Sequence, residues 1–162
     1  MIVGIDFSIN STAMAMKEPN GNIELFSFVA DYKKGTRKFR VHNELSTMVD
    51  VQGYAKCIGS EDDQTKKLRN ADTLSELILL KLEGRCPQEI RMEGYSFGSK
   101  GNAFIDLITF NTFLKVKLIQ KYGHVIKIIP PKSLKKQFCG NGNGTKCDMI
   151  RYFLQRPNLS LI

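Results

Sequence analysis

The chain opens with short runs of apolar residues and passes later into longer stretches of helical period. Met1–Phe7 reads as a short buried strand, hydrophobic on both faces and interrupted only by Asp6. Thr12–Lys17 alternates weakly, and Glu18-Pro19-Asn20-Gly21-Asn22 has the composition of a hairpin turn. Ile23–Val29 follows as the returning strand, so the first three strands are expected to be antiparallel neighbours. Residues 31–64 are polar and mixed in charge. They read as an irregular excursion with a small helix or strand near His42–Tyr54.

Beyond the excursion, strands and helices take turns. Leu68, Ala71, Ser75, Ile78 and Leu82 recur at helical spacing and predict a helix over Thr65–Leu82, stopped at Gly84 and followed by Pro87. Glu89–Glu93 predicts a strand leading into a loop, Gly94–Asn102. Ala103–Lys121 predicts a long helix that is apolar nearly all round, hence buried or at a partner interface, with Gly123 as its stop. His124–Ile129 is the next strand, closed by Pro130-Pro131. A short helix, Lys132–Phe138, a flexible glycine-rich loop, Gly140–Gly144, and a helix over Thr145–Gln155 with a threonine cap complete the order. The sum is one α/β domain over 1–162: an antiparallel three-strand opening, then strand–helix units that add parallel strands flanked by helices.

Composition narrows the class. No apolar run reaches the roughly 20 residues of a membrane span, and the first apolar stretch lacks the basic flank of a secretory signal. Cys57, Cys86, Cys139 and Cys147 form no zinc spacing, and His42 and His124 stand alone. Reduced thiols and a cytoplasmic location are the expectation. The formal net charge is +8, and its distribution matters more than its size. From Lys115 to the end there are ten lysines and arginines and a single acid, Asp148. A one-sided basic half that coincides with a glycine-rich loop points to a polyanion; a solvated basic face is the plainer alternative.

Two acids stand out against this background. Asp6 sits in the first apolar run, and Glu93 lies between Met92 and Gly94 in a second. A carboxylate in a buried strand loses solvation and needs a partner or a metal. Two strand-borne carboxylates from distant parts of the chain suggest a shared divalent cation, whereas solvation at strand ends or pairing with lysines would explain each one singly. The Gly140–Gly144 loop can bring backbone N–H groups close to a phosphate, and Lys146 follows it at a helix N-terminus that favours anions.

Three motifs carry a family resemblance. Gly4-Ile5-Asp6-Phe7-Ser8 followed by Ser11-Thr12-Ala13 resembles the first-strand motif of the RuvC family of Holliday-junction resolvases. Glu93-Gly94-Tyr95-Ser96-Phe97-Gly98-Ser99-Lys100-Gly101-Asn102 resembles the family's second acidic motif in its bacteriophage version. Pro131–Phe138 together with Gly140–Lys146 resembles its basic third motif. The order of elements, with one acid on the first strand and another on the fourth, is that of RNase H-like nucleases.

The resemblance implies an RNase H-like mixed sheet and a structure-selective endonuclease that hydrolyses phosphodiesters in Holliday junctions and other branched DNA. It implies Mg²⁺, with Mn²⁺ able to substitute, held by Asp6 and Glu93. Lys146 would act beside the scissile phosphate as a catalytic residue. Ser8, Tyr95, Phe97, Lys100, Lys132, Lys135, Lys136 and Asn141 would contact DNA, with one of the rings of Tyr95 and Phe97 exposed to stack at the junction centre. It also implies a homodimer through the 103–121 helix, two active sites for two symmetric nicks, and a setting in recombination, repair or phage DNA debranching in a bacterial cytoplasm, with no membrane partner. RuvC-type enzymes carry a further pair of carboxylates on a C-terminal helix. This sequence has no match for them, and the expectation is that the acidic helix is missing from it. A branched-DNA-binding protein of the same fold that has lost cleavage is the alternative reading, and an RNase H-like protein acting on RNA is a weaker third.

Overall fold

β1 (Ile2–Asp6) pairs antiparallel with β2 (Ser11–Lys17), and β2 pairs antiparallel with β3 (Ile23–Ala30), as the short connections require. The computed structural model describes residues 1–8, 10–30, 49–56, 60, 62–95, 101–123 and 125–155. Gly21, at φ 92°, turns the second hairpin through a conformation that side chains disfavour. Arg85 fastens this hairpin from outside, donating to Glu18 at 3.0 Å and to both carboxylate oxygens of Glu24.

A strand forms inside the expected excursion. β4 (Asp50–Tyr54) pairs parallel with β3 at the sheet edge. Its Asp-Val-Gln-Gly-Tyr sequence has no apolar alternation, so the pairing with β3 and not a local pattern makes it a strand. Residues 31–48 lie outside the described residues. Among the described residues, with β4 counted, Glu93 sits on the fifth strand in chain order and not on the fourth.

α1 (Asp63–Lys81) begins at Asp62, whose carboxylate accepts the N–H groups of Gln64 and Thr65 at 2.9 and 3.0 Å. β5 (Glu89–Glu93) then inserts parallel beside β1, and β6 (Ile126–Ile129) adds parallel to β5 across the helix α2 (Asn102–Tyr122). α3 (Pro131–Cys139) has proline in its first turn, and α4 (Lys146–Leu154) starts at the Thr145 cap. The strand order among the described residues is β4-β3-β2-β1-β5-β6. A mixed sheet with an antiparallel opening and parallel additions, flanked by helices, is the expected fold class.

The sheet has unlike faces. Val3 lies between Met16 and Ile90, and Ile5 between Met14 and Met92; all six are buried against Ala71, Leu74 and Ile78 of α1 and Phe110, Leu114 and Leu118 of α2. Each such side chain stabilises the fold by roughly 1.5–3 kcal/mol. The opposite face carries Gly4, Asp6, Ala13, Ala15, Leu25 and Ser27, which line a groove of about 510 Å³ bordered by Leu134 and Gln137 of α3. The expectation that β1 is hydrophobic on both faces therefore fails. The strand alternates, with Val3 and Ile5 inward and Ile2 and Asp6 exposed. Asp6 ends β1 on the open face, where a carboxylate needs no burial.

α2 divides in the same way. Phe110, Leu114 and Leu118 are buried, while Ile105 is 61% exposed, Val116 46% and Ile119 45%. One helix thus feeds the core and presents an apolar outer face. Among the described residues no helix is long and apolar enough to cross a membrane.

Candidate functional site

Strand register brings the two acids together. The parallel β1–β5 ladder runs through Ile5 opposite Met92, so the next residues, Asp6 and Glu93, are level with each other. Side chains alternate along a strand. Both acids therefore leave the face opposite Ile5 and Met92, with Asp6 near enough to act on the Glu93 carboxyl. Burial pushes the Glu93 carboxyl above the usual range. The charge and hydrogen bond of Asp6 push it further, and the Lys135 ammonium offsets part of the rise.

The backbone around the pair is pinned on both sides. After Asp6, the Ser8 N–H donates to Thr12 Oγ1 at 3.2 Å, and the same hydroxyl donates back to the Ser8 carbonyl at 2.7 Å. Thr12 is fully buried, so this reciprocal latch has no competition from water. After Glu93, the Gly94 N–H donates to the Ile129 carbonyl at 2.8 Å. A Cβ at Gly94 would stand 3.1 Å from Ile128 Cγ2, which is why glycine suits this close approach of β5 and β6.

Of the lysines on α3, Lys135 is the one whose charge acts on Glu93. Lys132 and Lys136, four residues apart on one helix face, are exposed to solvent. Lys146 is exposed at the first position of α4, and no described contact joins it to the carboxylate pair. The α4 N-terminus already has an anion of its own. Thr145 Oγ1 accepts the Asp148 N–H at 3.2 Å, and the Asp148 carboxylate accepts the Thr145 N–H at 2.8 Å.

The expected flexible loop at Gly140–Gly144 is instead a stitched turn. Gly140, at φ 75°, caps α3 through its N–H to the Lys136 carbonyl. The Asn141 side chain accepts the Asn143 N–H at 3.0 Å, and the Asn141 carbonyl accepts the Gly144 N–H at 3.0 Å. A Cβ at Gly142 would lie 3.0 Å from the Lys132 carbonyl oxygen, so the glycines serve to fold the loop back onto the start of α3.

Tyr95 turns towards the protein. Its ring meets Phe104 edge-on with centroids 5.8 Å apart, and Lys115 Nζ lies 4.8 Å from the ring centroid. Phe97 and Lys100 lie outside the described residues. The structure thus unites Asp6, Glu93 and Lys135, with Ser8 tied beside them and Tyr95 two residues beyond Glu93. Thr12 and Lys115 are not among the site residues the sequence predicts. Thr12 had a signal in the Ser11-Thr12-Ala13 motif, whereas Lys115 had none, since its partner comes from another element.

The pair can hold a cation. Among the described residues no group of three or more His, Cys, Asp and Glu side chains is arranged for a metal. Mg²⁺ does not need one: it retains several waters and takes one or two carboxylates together with substrate phosphate. Two adjacent oxygen donors whose mutual repulsion raises the Glu93 pKa fit such an ion, and Mn²⁺ accepts the same donors.

No protein-family model and no curated protein matches the chain. Among solved structures it is similar to Thermus thermophilus RuvC, with 14% identity over 98% of this chain and 86% of the other and a TM-score of 0.53. It is also similar to T. thermophilus RuvC in complex with Holliday junction substrate, with 12% identity, coverage of 98% and 85%, and a TM-score of 0.56. The chain has a RuvC-like fold.

Proposed function

We propose that this protein is a divalent-metal-dependent endonuclease that recognises Holliday junctions and other branched DNA and acts where such DNA arises, in a bacterial cytoplasm. The observation that carries the reading is the Asp6–Glu93 pair brought level on the open sheet face by the β1–β5 register, with Lys135 acting on Glu93. Its setting in a RuvC-like fold supports the choice of branched DNA.

In this reading Asp6 and Glu93 hold Mg²⁺, or Mn²⁺ in its stead. When bound, the cation supplies charge stabilisation at the phosphate and a more acidic water. The protein's own groups do the positioning. Asp6 and Glu93 sit on paired strands and not on loops, so their oxygens are held in a fixed relation. Lys135 neutralises charge gathering on the phosphate at the pair. Lys132, Lys136 and Asn141 guide the DNA backbone along α3 and its following turn. Lys146, at the start of α4, meets the strand nearer the cut, Ser8 adds a contact beside Asp6, and Lys100 is a further DNA contact. With Tyr95 packed on α2, Phe97 is the ring assigned to stacking at the junction centre. The exposed Ile105, Val116 and Ile119 of α2 support a homodimer through this helix, giving two sites for paired nicks.

One observation favours the second reading, a branched-DNA-binding protein without cleavage: the described residues offer two acids at the site and no third. A single experiment separates the two. Four-way junction and duplex of equal length are titrated against the protein in Mg²⁺, in Mn²⁺ and in chelator. Nicks near the crossover that need the metal and vanish in Asp6→Asn, with binding kept, support the enzyme. Tight junction binding with no nick in either metal supports the binder, and equal affinity for duplex and junction removes both.

A further inference from the structure

We infer that Lys115 is a DNA-phosphate contact of this site, held ready by the face of Tyr95. The inference rests on the reading of the protein as a branched-DNA nuclease and adds to it a residue on α2, outside the basic third motif.

The first observation is the company lysines keep on the helical layer. Lys67 pairs with Asp106 at 2.9 Å, Lys81 with Asp50 at 2.6 Å, and Lys117 with Asp72 at 2.6 Å and with Glu76. Lys115, two residues before Lys117, has no carboxylate partner among the described residues. Its neighbours one turn away on α2 are Asn111, Thr112, Leu118 and Ile119, none of them acidic. Asp106 is the only acid of α2, and Lys67 occupies it.

The second observation is where the ammonium goes instead. Long side chains on a helix tilt towards its N-terminus, and Lys115 Nζ reaches the Tyr95 ring at 4.8 Å from its centroid. Tyr95 is itself braced by the edge of Phe104, with ring centroids 5.8 Å apart. An aromatic face orients a cation without neutralising it. The charge is left available to an outside anion at the ring of Tyr95, itself the second residue after Glu93 in the chain.

The third observation is the burden that burial puts on this group. Lys115 is half-buried, and desolvation alone pulls its pKa down, with no opposing charge to restore it. A group kept charged under those conditions gains more from a phosphate than an exposed lysine does, because its hydration is already partly lost. The anion assigned to the ammonium at the Tyr95 ring is a DNA-backbone phosphate flanking the one at the carboxylate pair.

The test is the salt dependence of junction binding in chelator for the whole chain, with Lys115→Gln, Lys115→Met and Lys115→Arg set beside wild type and Lys135→Gln. Lys115→Met keeps the apolar stem and removes the charge, and thermal melting checks that each variant folds. The expected result is that both neutral variants lower the slope of log Kobs against log salt by about 0.9, the value for one phosphate contact on duplex arms, while Lys115→Arg keeps it. A wild-type slope in either neutral variant, with Lys135→Gln still lowering it, overturns the Lys115 contact and leaves the nuclease reading standing. Absence of salt-dependent DNA binding in the wild type overturns both together.

Discussion

Asp6 and Glu93 stand level across the β1–β5 ladder, where Asp6 acts on the Glu93 carboxyl, although they come from opposite halves of the chain. Two carboxyl groups in that relation cannot both be fully charged without cost, and the more desolvated one, Glu93, takes the rise in pKa. The site is therefore poised to exchange a proton for a cation.

The pH dependence follows with a definite sign. A carboxyl whose folded pKa lies above its unfolded value binds more protons in the native state, so its contribution to stability is complete below the unfolded pKa of about 4.3 and is lost as pH rises through the folded value. In chelator, melting temperatures of wild type should thus decline relative to Glu93→Gln as pH climbs from the ordinary carboxylate range towards neutrality. Added Mg²⁺ should reverse the decline and release protons. Parallel pH curves for the two proteins, with and without metal, would count against a shared proton.

The lysines of α3 and α4 should separate by orientation. Lys136→Gln should lower the salt slope of binding by about one unit on every DNA shape and leave the cleavage rate of bound junction near wild type. Lys135→Gln should lower both, since its charge acts on Glu93. Lys146→Gln should reduce single-turnover cleavage more than binding. An equal loss of the two at Lys146 would make it a positioning contact only.

Thr12 should matter more than its place outside the charged cluster suggests. Thr12→Val keeps the shape but removes the hydroxyl that serves both the Ser8 N–H and the Ser8 carbonyl. Leaving such groups unpaired costs about 1–3 kcal/mol. Denaturant titration should register that loss, and isothermal titration should show weaker Mg²⁺ binding, because the latch ties down the chain leaving Asp6. Thr12→Ser should restore both.

The outer face of α2 should govern assembly. Val116→Glu or Ile119→Glu introduces a charge on an exposed apolar stripe without touching Phe110, Leu114 or Leu118 of the core. Sedimentation should report a dimer for wild type and a monomer for either variant, with paired nicking lost and the melting temperature kept. A monomeric wild type that still cuts both strands would remove the dimer from the mechanism.

Much of the fold was legible because it is written locally. The weak alternation of Thr12–Lys17 and the hairpin turn after it, the spacing of Ala71, Ser75 and Ile78, the stops at Gly84 and Gly123, both at positive φ, and the cap at Thr145 each depend on residues within a few positions of one another. The carboxylate pair was legible as two candidate ligands because an acid in an apolar run is costly wherever the run is buried.

Tertiary structure decided what local pattern cannot encode. β4 is a strand because β3 offers it a parallel edge, and Asp-Val-Gln-Gly-Tyr carries no such instruction by itself. Asp6 is exposed because β1 buries one face only, and Glu93 meets it because the parallel register happens to align Ile5 with Met92. Lys135, and not Lys132 or Lys136, is the α3 lysine whose charge acts on Glu93, and Tyr95 is turned inward because Phe104 and Lys115 of α2 meet its ring. The sequence by itself determined which residues are able to carry the chemistry and which short segments are strands or helices, since propensity, periodicity and capping act over a few residues. Which of those residues share a site, and which way each one faces, was decided by strand register and helix docking, whose free energy comes from contacts between segments far apart in the chain.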